Sequence, residues 1–105
     1  MEIEEVKKNV AAIVREELAK VNASVPVPFP FHAFFFGSRI AGTASPRSDL
    51  DVGIEGPEAL SSVVMRLIKA RCDALPTLYT IDVVDFFMAS DDFKKVAKAH
   101  IEMIG

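Results

Sequence analysis

The sequence predicts a single α/β domain, a small sheet with helices packed on it. Three observations carry that expectation. The 105 residues suffice for one modest core and leave no room for a second domain. Half of them are hydrophobic and the formal charge is only −3, so enough apolar surface is available to drive folding. Helical and strand-like periodicities then alternate along the chain.

Ile3, Val6, Val10, Ile13, Val14, Leu18 and Val21 recur every three or four positions, which predicts an amphipathic helix over residues 2–22. Lys7, Lys8, Arg15, Glu16 and Lys20 form its wet side. The stretch from Val21 to Ser38 carries no formal charge and is long enough on paper to span a bilayer. Pro26, Pro28 and Pro30 forbid a continuous helix there, so it reads as a linker running into a strand. That strand, Phe31-His32-Ala33-Phe34-Phe35-Phe36, is apolar enough to be buried on both faces and is stopped by Gly37-Ser38.

Asp49-Leu50-Asp51-Val52-Gly53-Ile54 alternates acidic or small residues with apolar ones, the pattern of a strand with one unusual face. Gly56-Pro57 marks the expected start of a helix striped by Leu60, Val63, Val64, Leu67, Ile68 and Leu75, closed by Pro76. A third strand is expected over Leu78–Phe86, completing a core of residues 31–88. Ser90-Asp91-Asp92 caps a last helix, expected over 91–104, with Phe93, Val96, Ala97, Ile101 and Ile104 as its stripe.

Composition narrows the function classes. The slight negative charge argues against broad, nonspecific adhesion to nucleic acid or anionic membrane. Cys72 stands alone, permits no internal disulfide and reads as a buried thiol in a reducing cytoplasm. Met1-Glu2-Ile3-Glu4-Glu5 is acidic where a signal peptide is basic. A cytoplasmic location with no membrane segment is expected.

The chemistry concentrates between Phe36 and Val52. Asp49 and Asp51, two apart on a strand, project from one face with Cα atoms roughly 6.5 Å apart. Their carboxylates can converge on hard divalent cations, and one bridging pair can hold two ions ~3.5–4 Å apart. Asp-x-Asp is also the pattern of an Asx-type turn feeding a solvated strand edge. Gly37-Ser38 follows a buried strand, and Arg39 to Gly42 can form a helical turn whose backbone N–H groups face a phosphate. An ordinary turn and a solvated Arg39 would give the same residues. No Gly-Lys-Ser/Thr follows the glycines and no Gly-x-Gly-x-x-Gly occurs, which excludes a Walker loop and a dinucleotide fold.

Taken together, Gly37-Ser38-Arg39-x-x-Gly42 followed by Ser48-Asp49-Leu50-Asp51 resembles the signature of the nucleotidyltransferase superfamily related to DNA polymerase beta. The fuller pattern is similar to that of minimal bacterial and archaeal nucleotidyltransferases partnered, as antitoxins, with HEPN-type toxins. The match spans about a fifth of the chain, while the element order agrees over nearly all of it.

The resemblance implies the nucleotidyltransferase fold, a small mixed sheet with helices packed on it. It also implies a third carboxylate on a later strand. Asp82 and Asp85 are the candidates, on opposite faces; Asp82, inside Ile81-Asp82-Val83-Val84, fits the family's apolar setting. Asp49, Asp51 and Asp82 would then be the catalytic, metal-binding acids for two magnesium ions, which manganese can replace. Gly37, Ser38, Arg39 and Ser48 would bind a nucleoside triphosphate, with ATP the expected donor. The implied reaction transfers a nucleoside monophosphate to a hydroxyl, on a HEPN-type partner or across a homo-oligomer. The rival expectation is an antitoxin that neutralises a helical partner by docking alone.

The other polar residues read more plainly. Glu55, at a strand exit, is expected to be solvated; His32 is expected to be a satisfied structural histidine, and His100 to lie on the inner stripe of the last helix. Two distant histidines and one cysteine do not make a zinc set. Phe29, Phe31, Phe34, Phe35 and Phe36 are expected in the core rather than as a base-stacking platform.

Overall fold

A computed structural model describes residues 1–24, 29–37, 40, 42 and 49–105. The element order is α1 (Ile3–Ser24), β1 (His32–Phe36), β2 (Leu50–Glu55), α2 (Ser62–Asp73), β3 (Ile81–Asp85), a short 3-10 turn (Phe86–Met88), α3 (Asp91–Ala97) and β4 (Glu102–Ile104). The four strands form one mixed sheet in the order β3-β2-β1-β4. β1 pairs antiparallel with both β2 and β4, and β2 pairs parallel with β3 across the α2 connection. The α/β architecture is the one the periodicities predict.

Alternation along the strands divides the core in two. Ala33, Phe35, Leu50, Val52, Ile54, Val83 and Ile104 point to one face and pack against α1 and α2 through Val6, Val10, Val14, Leu18, Ile68 and Cys72. Phe34 and Phe36 point to the other face and pack with Phe86 in a smaller aromatic cluster. β1 is therefore buried on both sides beyond His32, as its composition requires. Gly53 lies beneath that cluster, and a Cβ there would stand 2.6 Å from the rings of both Phe34 and Phe86.

Two polar devices fix α1. Asn22 accepts from the Phe31 amide at 2.8 Å and donates to the Phe31 carbonyl at 3.0 Å, tying the end of α1 to the entry of β1. Glu17, only 4% exposed, accepts from Arg71 of α2 at 2.8 Å, and Arg71 reaches Glu16 with its other nitrogen at 2.8 Å. The buried carboxylate thus meets a planar guanidinium rather than water.

Several expectations need correction. α2 starts at Ser62 with Ser61 as its cap, not at Gly56-Pro57, because the Ser61 hydroxyl accepts from the Val63 amide. Its inner stripe runs through Ile68 and Cys72, while Val63 and Leu67 are largely exposed. The third strand is shorter than expected and starts at Ile81.

The final helix stops at Ala97, with Lys98 at its C-cap, and does not continue to 104. Residues 102–104 instead pair with β1, whose outer backbone groups would otherwise lack partners. His100 is consequently exposed beyond the helix rather than on an inner stripe. Phe29 is 72% exposed and is not part of the core. No described helix is long and apolar enough to cross a membrane.

Candidate active site

The site is built where β1 ends and β2 begins, beside the start of β3. Asp51 and Asp82 are register partners on the parallel strands β2 and β3, so their side chains leave the same face of the sheet. Adjacent strands lie about 4.8 Å apart, which holds the two carboxylates side by side. Asp49, exposed and one residue ahead of β2, acts on Asp51 through its charge. Burial first, then the charges of Asp82 and Asp49, push the Asp51 carboxyl above the usual carboxylate range.

Gly37 completes this corner. It follows β1 with φ +86°, and a Cβ on it would collide with Oδ2 of Asp51. Glycine is therefore needed twice over, for the left-handed backbone and for the carboxylate lying against it. The Gly37 carbonyl accepts from the Ile40 amide at 3.2 Å, so the chain turns immediately after the strand. Ser38, Arg39 and Ser48, expected to bind nucleotide, lie outside the described residues.

Asp85 faces away from the pair, as a spacing of three along a strand dictates. One of its oxygens accepts from the Leu60 amide at 2.9 Å and the other from the Phe87 amide at 3.0 Å. It is a backbone cap between α2's entry and the 3-10 turn. Its local half was readable in the sequence, since an Asp commonly caps the amide two residues on; its bond to Leu60 was not.

Glu55 is not the solvated residue expected. Lys98 donates to its two oxygens at 2.6 and 2.7 Å, and His32 Nε2 lies 3.3 Å from Oε1. Burial favours its neutral form, but the Lys98 hydrogen bonds and charge, with His32 and Lys94, outweigh burial and hold its pKa below the usual range. No local signal announces a partner 43 positions away. His32 is a half-exposed partner of this group at the opposite end of the strands from Asp51.

Among the described residues, no three Asp, Glu, His or Cys side chains converge on a point that would hold one metal ion. Asp51 and Asp82 stand side by side on neighbouring strands, where the charge of Asp82 raises the cost of ionising Asp51. As a donor set they are hard oxygens, with a partly buried member whose charge is disfavoured.

These features can be set beside known proteins. No protein-family model matches the chain. It is 30% identical over 87 residues to the Haemophilus influenzae protein named "Probable protein adenylyltransferase MntA", covering 82% of this chain and 76% of that one. The chain belongs to the MntA family of minimal nucleotidyltransferases.

Solved structures agree on the fold. A toxin-antitoxin crystal structure with AMP-PNP superimposes with a TM-score of 0.61 at 21% identity, over 90% of this chain and 72% of that one. A complex of a triply AMPylated HEPN toxin with its MNT antitoxin, from Shewanella oneidensis, gives 0.59 at 19% identity, over 95% and 71%. Within the MntA family, then, this chain supplies a sheet corner where Asp51 lies against Gly37, pairs in register with Asp82 and feels the charge of Asp49.

Proposed function

We propose that this nucleotidyltransferase moves AMP from ATP to a hydroxyl on a HEPN-type partner protein, as the antitoxin of a toxin-antitoxin pair, and that the transfer depends on magnesium. The observation that carries the reading is the Asp51–Asp82 register pair, with Asp49 in charge range and Gly37 packed against Asp51. Family membership supports nucleotidyl transfer, and the relatives named for adenylyl transfer, AMP-PNP and a HEPN toxin support the donor and the partner.

Asp49, Asp51 and Asp82 would hold the magnesium. The bound ions would neutralise charge developing on the attacking and leaving oxygens. The raised proton affinity of Asp51 fits this role, because the cation supplies the counter-charge that the described side chains lack. Gly37, with no side chain, makes room for the Asp51 carboxylate, and the turn it opens would offer backbone N–H groups to the triphosphate. Ser38, Arg39 and Ser48 are proposed as further phosphate ligands, and Asp82 as the acid nearest the acceptor hydroxyl.

A specific observation also favours docking. Met88 and Val96 are 73% and 77% exposed, apolar side chains that a docked partner would cover. Docking and transfer are separable in one variant. Asp49→Asn keeps side-chain size, and should lower label transfer from ATP to the partner by two orders of magnitude or more while binding of that partner persists. A wild-type chain that binds its partner yet never transfers label with magnesium and any common triphosphate would leave docking as the function.

A further inference from the structure

Adenylyl transfer also needs a place for the base of the donor, and one ring beside the acids is available for it. Phe36 is the cross-strand partner of Asp51. Among the described residues three rings meet Phe36: Phe34 at 6.2 Å, Phe86 at 5.1 Å and Phe93 at 6.0 Å between centroids. Phe34 and Phe86 are 1% and 0% exposed, whereas Phe93 is 43% exposed. Phe93 meets Phe36 and Phe86, the latter at 5.6 Å, and its described ring contacts do not include Phe34. That sets it toward the Asp51 end of the cluster.

Resting on the transfer reading above, we propose that the exposed side of Phe93 is the stacking platform for the nucleobase of the donor nucleotide. With phosphates at Gly37 and the acids, the base would lie one ribose away, and Phe93 packs on Phe36, the cross-strand partner of Asp51. The ring stands nearly perpendicular to Phe36, at 87°, so a fixed neighbour braces it and little freedom is lost when a base covers it. A platform of this kind reads the π-face of a base and not its edge, so this contact discriminates poorly between purines.

The chain contains no tryptophan, which makes Phe93→Trp a single-site fluorescent reporter. ATP with magnesium should quench its emission, whereas inorganic tripolyphosphate should bind without quenching. Phe93→Leu keeps apolar packing against Phe36 and Phe86; it should weaken ATP binding roughly tenfold and leave tripolyphosphate binding unchanged, while Phe93→Tyr restores ATP affinity. Equal ATP affinity in wild type and Phe93→Leu, with no quenching and with binding still lost in Asp51→Asn, overturns the platform and leaves the transfer reading standing. A wild type that binds no nucleotide by calorimetry overturns both.

Discussion

The hydrogen of Gly37 that a side chain would replace points at Oδ2 of Asp51, so the last turn of β1 and the first acid of β2 fit only because residue 37 has no Cβ. Gly37→Ala would strain a left-handed backbone by about 1–2 kcal/mol and displace the carboxylate. Transfer should fall at least tenfold while the far-UV spectrum stays that of the wild type. Unchanged transfer would show that Asp51 need not occupy this position.

Asp51 should cost the fold stability at neutral pH. Its folded-state pKa is raised by burial and by Asp82 and Asp49, so the folded chain binds the proton more tightly than the unfolded chain. Its contribution is therefore fully favourable below the unfolded pKa and is lost as pH rises through the folded one. Without metal, Asp51→Asn should melt higher than wild type at pH 7, and the gap should close on acidification. Adding magnesium at pH 7 should raise the wild-type Tm and leave that of Asp51→Asn nearly unmoved.

Asp82 and Asp85 offer an internal control three residues apart. Asp85→Ala removes acceptors for the Leu60 and Phe87 amides and should cost about 1–2 kcal/mol, with transfer retained in the folded fraction. Asp82→Asn should do the reverse, leaving the melt close to wild type and abolishing transfer. Denaturant melts and label transfer on both variants check the pair.

Cys72 should be inert. It is 1% exposed, and burial, then the charge of Asp73 against a partial offset from Arg71, pushes its thiol up to about 11. At pH 8 a disulfide-exchange reagent should label it only as fast as the chain opens, and immediately in denaturant. Fast labelling of the native protein would contradict the packing of α2.

What the sequence made legible was periodic or local. Strand alternation separates Asp82 from Asp85, the family resemblance favours Asp82, and the spacing of Val6, Val10 and Val14 sets the buried side of α1. What it hid depended on partners distant in sequence. Ile101 and Ile104 continue a helical stripe on paper, but the open side of β1 recruits residues 102–104 as a strand. Glu55 looked like a strand exit until Lys98 folded over it, and Phe93 looked like core until α3 left its ring half in solvent. The roles of Ser38, Arg39 and Ser48 rest on the motif alone.

β4 is three residues long, yet it governs how the sheet behaves toward other chains. It covers the outer side of β1, and Glu102 carries a charge there, held at 2.8 Å by Lys7. A short, charged border is a poor template for intermolecular strand pairing. Cutting the chain after His100 would expose Ala33-Phe34-Phe35-Phe36, an uncharged aromatic run of the composition that nucleates aggregates. The last few residues thus act as a solubility guard on the strand that the fold can least leave uncovered.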